Sequence, residues 1–504
     1  MGFLFRSDVL FLVVLSLPFV AAALILCTKR VLYSQEVISI VFSFALIPIT
    51  LSLYNLESQN PGSTALLYQV SHAAMLILKP EALGMAFGIL VSLLWAVTTI
   101  YTVGYMNKVY GVGEDRATFY AAFASSIGCT MGIAFSGNLV TLFIFYETLT
   151  ICTYPLIIHG KSPTSLASGN MYIKALMCSS VSLFLPAIAL IHGVDAEAAL
   201  FDTSHFIAGK YPRLIPVISL MLCYGVAKAA IMPLHVWLPR AMVAPTPVSA
   251  LLHAVAVVKS GVFTIVKVTV YVLGLKGMYN YTNHSLEGGS GLSHGNILMY
   301  LSAVTIVCGS LFATKQTNLK KMLAYSTVSQ LSYVLLALSM YTHGALYAAV
   351  FQLVSHALAK ITLFFAVGAI YAVSGKTEIE DMCGMGRKMP LTLSAFTLGA
   401  FAMIGIPPAS TLWGKHFILS EAVALDSYLV IFTVIASTLL NTIYFIPVIY
   451  KAFFGIPEIG RIREAPLPIL VAMLATSAGI VSLFFNPDLV SCVLSDMGFS
   501  NIPG

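Results

Sequence analysis

Seven residues carry the chemistry that this sequence can offer: Glu147, Lys228, His253, Lys259, His356, Lys360 and Lys415. All lie within apolar runs of the length that crosses a bilayer. A lysine at membrane depth costs about 2.5–3.5 kcal/mol on insertion scales, so a chain keeps one where the site is wet, paired or functional. A carboxylate there needs a partner or a proton. An ordinary imidazole exchanges its proton near neutral pH. Amines, imidazoles and a carboxylate in one apolar bundle point to the movement of protons or ions. The competing explanation is a set of kinked structural helices whose long cations reach for the interface.

Glu147 sits in FIFYETLTICTYPLI, and Lys228 is the cation that fits it as a partner. One proton can switch such a pair; the bland alternative is a static buried ion pair. His253 and Lys259 follow six residues apart in the next run. A lone histidine in a helix is commonly a hydrogen-bonded core residue, but lysines on both sides of His253 favour a relay. His356 and Lys360, in FQLVSHALAKITLFF, are four residues apart and share one helix face. Lys415 closes the series in GIPPASTLWGKHF.

Helices must position these residues, and two of them are interrupted. The stretch from Lys228 to Lys259 also holds His235 and four prolines, Pro233, Pro239, Pro245 and Pro247. Pro407 and Pro408 interrupt a second run shortly before Lys415. Proline inside a helix breaks it and frees backbone carbonyls, and broken helices beside ionisable groups mark ion paths in membrane proteins.

Composition sets the class. Of 504 residues, 59% are hydrophobic and 9% charged, against about 25% charged in soluble domains. The chain reads as an all-α polytopic membrane protein. Its net charge of +6 fits basic loops on the inner side and gives no indication of nucleic acid. The eight cysteines form no CxxC pair, and no P-loop or dinucleotide fingerprint is present, so no cofactor or metal is expected. Gly111-Val-Gly113 stands in a short charged loop. Whether the chain is part of an enzyme stays open at this point.

Apolar runs fall at 8–27, 36–54, 82–105, 115–134, 138–158, 167–192, 213–233, 247–273, 295–313, 321–341, 345–373, 390–422, 427–451 and 466–485, which makes fourteen spans. The first is long for a signal peptide and lacks its cleavage site. With the N-terminus outside, the inner loops hold Lys29, Arg30, Lys108, Arg116, Lys161, Arg240, Lys315, Lys320, Lys321, Lys376, Arg387, Lys388, Lys451, Arg461 and Arg463. The outer segments hold only Arg6, Lys79, Lys210, Arg213 and Lys276, which supports an arrangement with both termini outside in a cell inner membrane. The longer outer loops, about 55–80, 193–212 and 274–294, read as covers or short helices. The broken spans seven and twelve are five apart, an odd number, so the halves are inverted. This divides the chain into spans one to three (1–114), a first repeat of spans four to eight (115–273), a second of spans nine to thirteen (295–451), and a last span with its tail (452–504).

The motifs AK–PLHVWLPRAM–APTPVSALLHA–VKSGVF, FYETLT, KKMLAYSTVSQLSY, SHALAKITLFF and GIPPASTLWGKHF cover about 115–420. In them the chain resembles the antiporter-like subunit family of complex I. That family takes in subunits of Mrp-type cation/proton antiporters, of NADH–quinone oxidoreductase and of membrane-bound hydrogenases. The resemblance implies that Glu147 and Lys228 are the family's glutamate–lysine pair and Lys259 its central lysine. It implies that His253 lies between channels, that His356 and Lys360 are the polar pair of span eleven, and that Lys415 is the terminal residue of span twelve. Lysine at that last position, and the lack of a long C-terminal extension, resemble the Mrp D-type subunit or a hydrogenase relative. Ala409-Ser410-Thr411 departs from the glycine–aromatic pair that relatives carry after GIPP.

The expected mechanism is charge-driven proton transfer along a row, from Lys228 through His253 to Lys259, then past His356 and Lys360 to Lys415. The implied partners are other membrane subunits of an Mrp-like or complex I-like assembly, with protons and in an antiporter sodium as cargo. Two alternatives stand beside this: a proton-pumping subunit of a redox complex, and an inert membrane scaffold.

Overall fold

The computed structural model describes residues 7–31, 33–59, 65–71, 74–111, 116–201, 206–287, 297–456 and 463–496. Arg6 and Arg461, counted above in the charge bias, and Gly113 lie outside these residues. The described residues form a polytopic bundle of apolar helices. Eleven helices among them are long and apolar enough to cross a membrane. Three more spans are assembled from less uniform pieces. Span ten, Leu319–Leu338, dilutes its hydropathy with Lys320, Lys321, serines and Gln330. Spans seven and twelve are broken. The fourteen expected spans are thus all present.

Span seven departs in detail from its expected break at Pro233. Its helix, Ile215–Gly225, ends eight residues earlier, and Lys228 lies in a tight turn at Ala227–Ala229. The backbone then passes through Ala230 at φ +56° and re-forms a single helical turn at Trp237–Arg240. Gly225 explains the early stop: a β-carbon there would stand 2.5 Å from the backbone nitrogen of Phe184. Span twelve breaks where expected, Pro390–Ile404 and Thr411–Ala424 being separated by Gly405 at φ +93° and the two prolines.

The centre of the bundle is span eleven, His343–Ser374, which packs against spans three, eight, ten, twelve and fourteen. Span eight, Thr246–Leu273, is buried along its apolar length and includes two wide turns, Leu251–Val255 and Thr269–Leu273. At the N-terminal face, the segment before span three is not a helix. It is a two-stranded antiparallel hairpin, Ala65–Ser71 with Ala74–Leu78, which bridges to Ser136 after span four. The other long loops carry short helices, Ile207–Lys210 and Leu275–Glu287. Arg116, counted above as a loop charge, is buried at the start of span four, where its guanidinium meets Glu36 at 2.5 Å and Asn107 at 2.7 Å.

Candidate functional site

The break in span seven exposes main-chain groups, and the structure covers them from the sides. The Ser179 hydroxyl donates to the carbonyls of Tyr224 and Gly225, and the Trp237 indole donates to Ala227 at 3.0 Å. Lys228 is held in this turn, fully buried. Its ammonium donates to the Tyr146 carbonyl and lies 3.3 Å from the centroid of the Tyr146 ring, while its backbone N–H donates to the Tyr146 hydroxyl at 3.2 Å. Span eight presses on the same turn from behind. A β-carbon at Gly261 would stand 2.5 Å from the Lys228 carbonyl carbon.

Glu147 follows Tyr146 on span five, Leu139–Ile157. Both carboxylate oxygens are buried, and neither has a hydrogen-bond partner among the described residues. No ion pair closes between Glu147 and Lys228, although each lies within reach of the other's charge. The structure therefore places the two together but not in contact. Tyr146, which nothing in its type singled out, holds the lysine.

The central group brings together spans eight and eleven. His253 lies in the wide turn Leu251–Val255, its ring 4.8 Å from Phe364. The Lys259 ammonium crosses to span eleven and donates to the Leu353 carbonyl at 2.5 Å. His356 and Lys360 face this region from one side of span eleven, and Lys360 donates to Ser326 at 3.0 Å and to the Leu323 carbonyl at 3.2 Å. All four ring nitrogens of His253 and His356 are buried without a hydrogen-bond partner among the described residues. Charge on either Lys259 or Lys360 acts on His356. Such orphaned imidazoles beside lysines call for water or for a shared proton.

A polar chain then leads outward to Lys415. Tyr444 lies beside Ser326 and donates to Asn441 at 2.6 Å. Asn441 donates to the Met403 carbonyl at 3.1 Å. That carbonyl also accepts from Lys415 at 3.1 Å and from Gln330 at 3.3 Å, and Gln352 donates on to Gln330 at 3.2 Å. Lys415 adds bonds to the Ile404 carbonyl at 2.8 Å and the Thr438 hydroxyl at 3.1 Å. The carbonyls of Met403 and Ile404 are free because the helix stops at Gly405. Ser437, Asn441 and Tyr444 recur at helical spacing on span thirteen, Tyr428–Phe454, a polar stripe that the sequence contained.

The face opposite the N-terminus has a polar recess lined by Tyr105, Arg240, Gln316, Asn318, Lys320 and Lys321. Lys320 donates from its inner wall to the Met242 and Ala244 carbonyls at 3.3 and 2.7 Å, and its charge reaches His253. All seven expected residues thus fall on one buried line, with Glu147 and Lys228 at one end, the two histidines at the centre and Lys415 at the other. An amine donates to a carbonyl whether charged or neutral, so each lysine can take or give a proton without losing its anchor.

A family model described as NADH:quinone oxidoreductase/Mrp antiporter, transmembrane, matches residues 136–440. NADH-quinone oxidoreductase subunit N of Desulforudis audaxviator is 29% identical over 441 residues, 83% of this chain and 83% of that one. The chloroplastic NAD(P)H-quinone oxidoreductase subunit 5 of Lemna minor is 32% identical over 64% of this chain and 44% of its own length. One Na(+)/H(+) antiporter subunit of Bacillus subtilis is 28% identical over 81% of this chain and 52% of its own length. The chain spans about half the length of these last two relatives. Among solved structures, the membrane-bound sulfane sulfur reductase, an archaeal respiratory membrane complex, includes a chain that matches with a TM-score of 0.81 at 23% identity, covering 97% of both chains. The Mrp complex from Dietzia sp. DQ12-45-1b includes one with a TM-score of 0.80 at 19% identity, covering 98% of this chain and 97% of that one.

Proposed function

We propose, since the chain belongs to the NADH:quinone oxidoreductase/Mrp antiporter transmembrane family, that it is the proton-translocating membrane subunit of a multi-subunit cation/proton antiporter of the Mrp D type. One observation carries this reading: the buried line from Lys228 to Lys415, in which every ammonium rests on a backbone carbonyl. A scaffold has no use for four buried lysines and two unpartnered histidines, because apolar residues of similar size stabilise a bundle as well or better.

In the mechanism, Lys228 rests on Tyr146 with Glu147 close by. Approach of Glu147 to the ammonium keeps its proton in place, and neutralisation or withdrawal of Glu147 releases it. The proton passes through water and His253 to Lys259. It continues by His356 and Lys360 and along the polar groups of Ser326, Tyr444 and Asn441 to Lys415. The recess at Lys320 gives the line access to the face that the charge bias places inside, with both termini outside in the cell inner membrane. Spans four to eight and nine to thirteen serve as the two inverted repeats. Sodium is the coupled cation, carried by partner membrane subunits set side by side with this one.

A second reading, a proton-pumping subunit of a complex I-like redox complex, is favoured by the match to subunit N, which alone of the three relatives named is covered over 83% of its length. The experiment is proton flux in proteoliposomes that hold the purified complex, driven by an imposed sodium gradient. Sodium-driven flux that disappears in Lys228→Ala supports the antiporter. Flux that answers only to an electron donor supports the redox pump. Normal flux in Glu147→Ala, with normal assembly, returns the chain to the scaffold.

A further inference from the structure

Span eight carries a second polar feature that the line from Lys228 to Lys415 does not use. Near the N-terminal face, Lys267 is fully buried and forms an ion pair with Glu81 at 3.1 Å. Its ammonium also donates to the carbonyls of Ala134 at 3.0 Å and Ser136 at 2.6 Å. Glu81 immediately precedes span three, and its Oε1 is buried with no hydrogen-bond partner among the described residues. Tyr271 and Lys79 also face Glu81. Lys79 is half-buried and donates to the Phe201 carbonyl at 3.2 Å, so the pair lies one side chain below the surface.

Between Lys259 and Lys267 stand two hydroxyls, Ser260 and Thr264. With Lys267 they follow the spacing i, i+4, i+7, which lays them in a stripe along one helix face. Both hydroxyl oxygens are buried and have no hydrogen-bond partner among the described residues. Buried hydroxyls elsewhere in the bundle behave otherwise. Those of Thr98, Thr99, Thr130, Thr327 and Ser332 each donate to the carbonyl one turn back, at 2.6 to 2.9 Å. Ser260 and Thr264 have forgone that local bond. An unsatisfied buried hydroxyl costs about 1–3 kcal/mol, and water is the partner that removes the cost.

We propose that span eight carries an axial proton route from Lys259 by way of water held on Ser260 and Thr264 to the Lys267–Glu81 pair, and past Lys79 to the N-terminal face. The proposal rests on the reading of Lys259 as a relay residue. The proton leaves the Lys259 ammonium for water beside Ser260 and Thr264 and is taken by the Glu81 carboxylate. Lys267 keeps its own proton and serves as the fixed countercharge. Glu81 then returns its proton to water at the surface. The helix covers Lys259 to Lys267 in roughly 12 Å, a distance that the two hydroxyls divide into short steps. A static clasp between spans three and eight explains the ion pair but leaves the two turned-away hydroxyls without a reason.

The test uses the purified complex in proteoliposomes, with proton flux read by a pH-sensitive dye and subunit content checked on the same preparations. Valine keeps the shape of threonine and removes only the hydroxyl. Thr264→Val and Glu81→Gln are expected to lower flux about tenfold or more with subunit content unchanged. Thr264→Ser is expected to restore it to within about twofold of wild type, which a packing role for Thr264 does not predict. Should Glu81→Gln fail to assemble, the Thr264→Val and Thr264→Ser pair decides alone. Wild-type flux in Thr264→Val while Lys228→Ala is inactive overturns the axial route and leaves the proposed function standing. Wild-type flux in Lys228→Ala as well overturns both.

Discussion

The ammonium of Lys228 rests on Tyr146, 3.3 Å from the ring centroid and bonded to the same residue's carbonyl, while the neighbouring Glu147 has no hydrogen-bond partner among the described residues. A cation over a tyrosine ring is stabilised by about 2 kcal/mol when desolvated. That amount holds the lysine in place and is small enough for a carboxylate to overcome. Tyr146 is thus the resting cradle and Glu147 the group that alters it.

Lys228→Ala removes the cation that answers Glu147. Leaving one member of a buried pair alone costs about 3–5 kcal/mol or forces the carboxylate to take a proton. The expected outcome is loss of transport with the complex still assembled. Sodium-driven flux on variant complexes checks it, and a wild-type rate would remove Lys228 from the path.

Lys415→Arg keeps the charge and removes the titration, because arginine stays protonated in essentially any protein setting. The variant is expected to fold and to transport slowly. A rate equal to wild type would make Lys415 a fixed charge beside the freed carbonyls of Met403 and Ile404.

Gly261→Ala places a methyl group against the Lys228 backbone. Overpacking of this kind typically costs about 1–3 kcal/mol. Here it also pushes the turn that carries Lys228. Lower thermal stability together with a larger loss of flux is expected. A stability loss with flux intact would show that Lys228 tolerates displacement.

Tyr444→Phe deletes the hydroxyl that donates to Asn441 and stands beside Ser326. The ring still fills its place on span thirteen, so assembly is expected to be normal. Flux is expected to fall severalfold, and double variants with Lys415→Arg should fall no further than Lys415→Arg alone if both act in one segment of the path.

The chain alone is expected to be inactive or weak. The last span, Leu467–Phe485, and the core of the first hold no charge that could extend the line beyond Lys415 or before Glu147. Purified chain in liposomes under an imposed pH gradient tests this. Robust exchange by the lone chain would make it self-sufficient.

Much of this arrangement was legible in the sequence because a bilayer leaves little choice. Apolar length gave the spans, and the prolines gave the two breaks. The break in span seven begins at Gly225 and not at Pro233 because a contact with Phe184 decides it, and sequence spacing does not reveal contacts between spans. The hairpin before span three was hidden because its strands are short and the run between spans reads as a polar loop. Tyr146, Asn441 and Tyr444 escaped notice because tyrosine and asparagine in an apolar run look like ordinary packing. Glu81 escaped it because its partner Lys267 is far along the chain and only the fold brings them together.

The acceptors of the buried lysines have a consequence for how this protein can change. Lys228, Lys259, Lys360 and Lys415 all donate to main-chain carbonyls, those of Tyr146, Leu353, Leu323, Met403 and Ile404. Every amino acid supplies that carbonyl. A point substitution at any of these five positions cannot delete the acceptor, so the inheritance of the cradle is insulated from drift in the side chains that form it. In a saturation screen, inactivating hits should gather on the lysines and on the glycines and prolines that set the course of the backbone. The five acceptor positions should tolerate most residues that still fit.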